Sequence, residues 1–239
     1  ELLRDRPFLD DILVERRWLQ TVLGYSSAAI PSLLSGRYPN EHGHWNLFYR
    51  APETSPFRWT RLLRPLPSTL VENRVTRKAI KEISRGLSGY TGYFPTYNVP
   101  VARLSFFDLC ERRDIYQPEG LGTCPSLFDV FAREDIRYEC FTYHSYSDEE
   151  IFAAVPERLR TSPARVYFLY FCELDAYLHF HIHDADGVAA KLRWYEENLR
   201  RLYRAAAERW GNARLFIFSD HGMTPVRWTY DMARDVDQL

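Results

Sequence analysis

The sequence predicts an α/β fold with a mostly parallel central sheet. Two short runs, residues 166–172 and 215–218, are continuously apolar, as is typical of strands buried on both faces. Helical patterns separate the predicted strands, and alternating strands and helices favour a parallel sheet. The chain has 239 residues, of which 46% are hydrophobic, so it is long enough to bury a sizeable core.

The individual elements are predicted from local patterns. Strands are predicted over residues 18–23, 137–143, 166–172 and 215–218. Helices are predicted over residues 7–13, 27–34, 126–133, 148–160 and 187–210. Gly36 stands where it would end the second helix, and Ser147 is a suitable N-cap for the fourth.

Residues 50–123 differ in character from the rest of the chain. They are rich in Pro, Tyr, Phe and Arg and show little periodicity, which indicates an insertion or cap within a single core spanning residues 1–239. Aromatic side chains in and beside this region are Trp45, Phe48, Tyr49, Trp59, Tyr90, Tyr93, Phe94 and Tyr97. They could stack on a base or sugar. Packing within the insertion is the commoner use of such residues.

The composition argues against several classes of protein. The 31 basic and 32 acidic residues leave a net charge of -1, so no bulk attraction to nucleic acid or an anionic membrane is expected. No apolar run approaches the roughly 20 residues needed to span a bilayer. The four cysteines fit no zinc-binding spacing. No signal peptide is visible, and the compartment stays open.

Polar residues follow both apolar runs, at the strand ends where parallel sheets bind ligands. Asp175 and His179 follow the first run and are spaced to share one side of a helix, while Asp220 and His221 follow the second. Carboxylate and imidazole are ligands of zinc, and manganese or iron also accepts them. The alternative is a set of helix caps and surface histidines. His181 and His183 alternate with apolar residues, which predicts a half-exposed extended segment.

Three segments resemble the alkaline phosphatase superfamily, and most closely its type I phosphodiesterase/nucleotide pyrophosphatase branch. Ser-Gly-Arg-Tyr-Pro-Asn-Glu-His-Gly, ending at Gly43, is similar to the family signature TGxYPxxHG. Asp-Ala-Tyr-Leu-His, ending at His179, resembles a DxxxH metal motif, and Ser-Asp-His-Gly-Met, ending at Met223, resembles SDHGM. The resemblance implies a three-layer α/β/α sandwich.

The resemblance also implies roles for particular residues. Family spacing makes Ser26 the nucleophile, with Ser27 as its rival, and places Asn46 near a phosphate oxygen. It implies two divalent metal ions, typically zinc, with manganese as the other option. The implied ligands are Asp175 and His179 for one ion, and Asp220 and His221 for the other.

The implied activity is metal-dependent hydrolysis of phosphodiester or nucleotide pyrophosphate bonds through a covalent phospho-Ser26 intermediate. The substrate would be a small phosphate ester or a nucleotide. The family has one more Asp, before the nucleophile, and a late His, and neither has a counterpart in this chain. We therefore expect a core truncated at both ends.

Three other functions stay open. A phospho-group transferase would use the same intermediate with an alcohol as acceptor. A sulfatase-like hydrolase would need a Pro and an Arg soon after the nucleophile, where this chain has Ser-Ala-Ala-Ile. The incomplete ligand set also leaves room for a binding module that kept the fold.

Overall fold

The computed structural model describes residues 7–97 and 99–230, which divide into two compact units. Residues 18–137 form one, here called the continuous unit. The other, here called the composite unit, combines the chain up to Arg17 with the chain from Tyr138 onward.

The described part of the continuous unit contains helices and a two-stranded antiparallel sheet whose strands are far apart in sequence. Its α-helices are α1 (Ser26–Ser35), α2 (Pro39–His42), α3 (Ser68–Val71), α4 (Arg74–Ser88), α5 (Val101–Leu104) and α6 (Leu127–Arg133), with a 3-10 helix at Arg58–Leu63. Its strands β1 (Phe48–Arg50) and β2 (Phe107–Leu109) pair antiparallel.

The predicted helices over residues 27–34 and 126–133 are confirmed, and their ends have a local cause. Gly36 ends α1 in the left-handed conformation (φ 66°) and donates its N–H to the Ser32 carbonyl at 2.8 Å. Ser126 and Asp129 form a capping box at the start of α6. These caps satisfy backbone groups that a helix end leaves without intrahelical partners.

Residues 50–123 contain their own apolar core. Its buried members are Phe57, Val71, Ile80, Phe94, Val101, Leu104 and Leu109. The rings of Phe57 and Phe94 meet edge to face, with centroids 5.2 Å apart. The aromatic density of this region is therefore used at least in part for packing, although Trp45 and Tyr97 remain exposed.

The composite unit is built on a parallel strand pair. Its elements are β3 (Tyr138–Phe141), α7 (Asp148–Thr161), β4 (Val166–Leu169), α8 (Glu173–His181) and α9 (Ala185–Trp210). Strands β3 and β4 pair in parallel, in a register running from Tyr138 opposite Val166 to Phe141 opposite Leu169. This pair confirms the predicted strand over residues 137–143 and the start of that over 166–172. Helices α7 and α9 confirm their predictions and share a core with β3.

Four sequence-based predictions are wrong. Residues 215–218 form no strand, and Phe216 is 78% exposed. Residues 18–23 likewise form no strand, and residues 7–13 form turns rather than a helix. His181 ends α8 and stacks on the Tyr177 ring, so the segment is not extended there. Apolar content alone does not make a strand, because a strand also needs a partner for its backbone hydrogen bonds.

The architecture of the described residues is mixed α/β. They contain two two-stranded sheets, so the larger parallel sheet of the prediction is not observed in this part of the chain. None of the described helices is both long and apolar enough to cross a membrane. The four cysteines, Cys110, Cys124, Cys140 and Cys172, are free thiols.

Candidate functional site

Ser26 is the first residue of α1 and follows a tight backbone turn. Gly24 has φ 110° and Tyr25 has φ 54°, so two successive residues lie in the left-handed half of the backbone map. A tyrosine there is strained, and such strain clusters at functional sites. The turn places the Ser26 side chain at the positive end of the helix dipole, where anions bind.

Position 24 has no room for a side chain, because another stretch of the backbone passes close to it. A Cβ at this position would lie 2.1 Å from the carbonyl oxygen of Trp45. The backbone that leads into Asn46 therefore packs directly on the turn that leads into Ser26. Asn46 is exposed, and its Oδ1 accepts the N–H of Leu47 at 2.8 Å. The structure thus brings the sequence neighbourhoods of Ser26 and Asn46 together.

The rival serine, Ser27, has a local structural use. Its Oγ donates to the carbonyl oxygen of Gly24 at 2.6 Å, which holds the hydroxyl against the turn. Ala28 and Ala29 are buried behind it. Ser27 therefore stabilises the turn before α1 through this hydrogen bond.

His42, within the Pro-Asn-Glu-His-Gly segment, fastens that segment to α1. It is fully buried, and its Nδ1 accepts the backbone N–H of His44 at 3.1 Å. A neutral ring that accepts at Nδ1 carries its proton on Nε2. That nitrogen lies 2.9 Å from Ser32 Oγ and donates to it, while Ser32 Oγ donates to the Ala28 carbonyl at 2.9 Å.

Burial keeps the His42 ring neutral. Desolvation, with a smaller effect from the neighbouring His44, lowers the pKa of His42 to about 4. Burial also lowers the pKa of His44. The sequence patterns indicated no role for His42, although it lies inside the segment that resembles the family signature. Its role here is to fix the loop after α1 to the second turn of that helix.

Asp175 and His179 lie on one face of α8, as the spacing predicted. His179 Nε2 is 3.5 Å from Asp175 Oδ2, and both side chains are about half exposed (63% and 48%). Two donors on one tetrahedral zinc ion, each bonded at about 2.0–2.2 Å, are roughly 3.3–3.5 Å apart. The pair therefore has the separation of adjacent ligands of one metal ion.

Asp220 and His221 form a second pair with the same separation. His221 Nε2 is 3.5 Å from Asp220 Oδ2, an oxygen shielded from solvent. His221 Nδ1 lies 3.2 Å from the Gly222 carbonyl, which can only accept, so Nδ1 carries the proton. The Asp220 carboxylate and the His221 imidazole are donor types that a divalent cation accepts.

The two pairs share a structural neighbourhood. Met223, at the end of the segment that carries Asp220 and His221, packs against a small buried cluster of Leu178, Val188 and Leu192. Leu178 is the residue before His179. The donor types and separations fit divalent metal ions. However, within residues 7–97 and 99–230 no three His, Cys, Asp or Glu side chains form a group that could hold a metal ion.

Comparison with known families agrees with the motifs. A sequence model of the type I phosphodiesterase / nucleotide pyrophosphatase family matches residues 11–239, nearly the whole chain. The protein belongs to this family, within the alkaline phosphatase superfamily, and is a hydrolase. The family is generally metal-dependent. Neither the curated proteins nor the solved structures include a match to this chain.

Proposed function

We propose that the protein hydrolyses phosphodiester or nucleotide pyrophosphate bonds with Ser26 as the nucleophile. The observation that carries this proposal is the position of Ser26. Ser26 is the first residue of α1. It directly follows a strained turn that packs against the backbone leading to Asn46. A nucleophile that attacks phosphorus needs donors for the phosphate oxygens beside it, and the backbone N–H groups of a helix start supply them.

Four side chains would hold two divalent metal ions, zinc by preference or manganese. Asp175 and His179 would bind one, and Asp220 and His221 would bind the other, with further donors completing each set. A divalent ion beside a serine hydroxyl lowers the hydroxyl pKa and stabilises charge on phosphate oxygens. Zinc suits the mixed carboxylate and imidazole donors.

The protein groups then divide the work as follows. Ser26 gives its hydroxyl proton to solvent and its Oγ attacks phosphorus in line, so that an Oγ–P bond forms while the bond to the leaving oxygen breaks and its electron pair goes to that oxygen. The Asn46 amide and the backbone N–H groups at the start of α1 hold the phosphate oxygens. Water then displaces Ser26 from phosphorus, and the free serine is restored. We further propose that the core is a three-layer α/β/α sandwich in which residues 50–123 form an insertion that selects the substrate.

The test compares two neighbouring serines in the full chain. Ser26→Ala should lower kcat for bis-p-nitrophenyl phosphate by roughly 10³-fold or more, as loss of a nucleophile does. Ser27→Ala removes a hydroxyl one residue away and is the matched control. It should retain most of the activity, because the Ser27 hydroxyl takes no part in the proposed reaction. Equal activity of Ser26→Ala and wild type would refute the assignment.

A substrate panel separates the related activities. Activity on the diester that exceeds activity on p-nitrophenyl phosphate, and that a chelator abolishes, supports the diesterase proposal. Preference for p-nitrophenyl sulfate would instead identify a sulfatase-like enzyme, and product transfer to an added alcohol would identify a transferase. No turnover of any substrate in the presence of zinc or manganese would favour a binding module.

A further inference from the structure

We infer that Asp148 and Tyr195 are positioning residues that set the first turn of α8, the helix that carries Asp175 and His179. The inference rests on the proposed function only in treating Asp175 and His179 as metal ligands. Its structural basis lies in a buried hydrogen-bond network formed by α7, α8 and α9.

Helix α8 is capped by a residue from another helix. Its own N-cap residue, Cys172, makes no side-chain capping hydrogen bond. Instead Asp148, the first residue of α7, accepts the N–H of Cys172 at 3.1 Å and that of Glu173 at 3.2 Å. One carboxylate thus satisfies two backbone donors at the start of α8, as a cap normally does from within the helix.

The capping is reciprocal. Glu173, the first residue of α8, accepts the backbone N–H of Asp148 at 3.1 Å through Oε1. Its other oxygen lies 3.4 Å from Lys191 Nζ on α9. The side chain of the first residue in each helix therefore accepts backbone hydrogen bonds at the start of the other helix.

Tyr195 on α9 holds the Asp148 carboxylate in place. Its hydroxyl donates to Asp148 Oδ2, and both side chains are buried, at 4% and 1% exposure. A buried carboxylate must be hydrogen-bonded, and removing one donor leaves part of its desolvation cost uncompensated. The tyrosine ring itself packs among Phe152, Phe171 and Trp194, so the hydroxyl can be removed while the ring packing stays.

The network matters for the ligands because it fixes the first turn of α8. Beyond it, the nine-residue helix is held by Leu178, which is buried, and by the partly buried Leu174 and Tyr177. Asp175 comes two residues after Glu173, within the first turn, and is exposed. The direction of its carboxylate therefore depends on the cap. Groups that hydrogen-bond a metal ligand directly contribute about 10- to 100-fold to metal affinity, and Asp148 acts through the backbone of α8, so the lower end of that range is expected.

The experiment uses Tyr195→Phe, with Tyr203→Phe on the same helix as the matched control. Amide hydrogen exchange should be faster at residues 172–175 in Tyr195→Phe, with the rest of the composite unit unchanged. Zinc affinity, measured by calorimetric titration, should fall about 10-fold. Asp148→Asn, which keeps the shape of the side chain but loses its charge, should show both effects more strongly.

His179→Ala separates the two proposals. If this variant weakens zinc binding while Tyr195→Phe matches Tyr203→Phe in exchange and in affinity, the positioning inference is overturned. If His179→Ala binds zinc as tightly as the wild type, the proposed ligand set is wrong. Faster exchange throughout the composite unit, with zinc affinity unchanged, would show a purely structural role for Tyr195 and would also overturn the inference.

Discussion

The buried His42 predicts a specific dependence of stability on pH. Its pKa is lowered from 6.5 to about 4 in the folded chain. Above pH 6.5 the ring is neutral in both states and contributes no pH dependence. As the pH falls from 6.5 to 4, the unfolded chain takes up the proton first, so the folded state loses stability. A difference of about 2.5 pH units at 1.36 kcal/mol each corresponds to about 3 kcal/mol.

Urea unfolding at several pH values between 4 and 7 measures this effect. His42→Gln removes the titrating ring, so its free energy of unfolding should fall less than that of the wild type over the same range, by up to about 3 kcal/mol. His44 titrates in the same direction in both proteins and largely cancels in the comparison. His183→Gln, which removes an exposed histidine of the composite unit, is the control and should follow the wild type. Parallel pH curves for His42→Gln and the wild type would refute the reasoning.

Three further substitutions test local features by urea unfolding. Gly24→Ala should lower the free energy of unfolding by more than about 2 kcal/mol, because its Cβ would lie 2.1 Å from a backbone carbonyl oxygen. In Gly43→Ala the Cβ meets open space, so the free energy of unfolding should fall by about 1 kcal/mol. Ser147→Ala removes the capping box of α7 and should lower the free energy of unfolding by about 1 kcal/mol. The control, Ser145→Ala at an exposed position, should lower it by less than about 0.5 kcal/mol. Phe128→Ala should cost about 3–5 kcal/mol, because the ring is fully buried; a cost below about 1 kcal/mol would contradict its place in the core.

Helices of this chain could be predicted from sequence where local chemistry fixes their ends. Ser147 and Glu150 form the capping box that starts α7, and Gly36 ends α1, so both boundaries follow from residues a few positions apart. Residues 215–218 show where this local reasoning fails. A short apolar run has no periodicity that separates a strand from other structures, and pairing with a distant strand decides the outcome.

The candidate site also combines features that the sequence predicts with features that it does not. The pairing of Asp175 with His179 was predictable, because it depends only on helical spacing. The contact of Met223 with the cluster around Leu178 was not, since it joins segments far apart in sequence. The cap that Asp148 provides to Cys172 spans 24 residues and leaves no local pattern, so it could not be predicted from the sequence.

The exchange of caps between Asp148 and Glu173 makes two helices energetically interdependent. Helix α7 has a capping box of its own, but Glu173 accepts the N–H of Asp148 and Asp148 caps the start of α8, so each helix start gains further stability once the other has formed. Substitutions at the two positions should therefore be non-additive, with an interaction energy of about 0.5–3 kcal/mol in a double-mutant cycle. The stretch from β3 to α8 would then unfold and refold locally as one cooperative segment. A local fluctuation of α7 would therefore also displace Asp175.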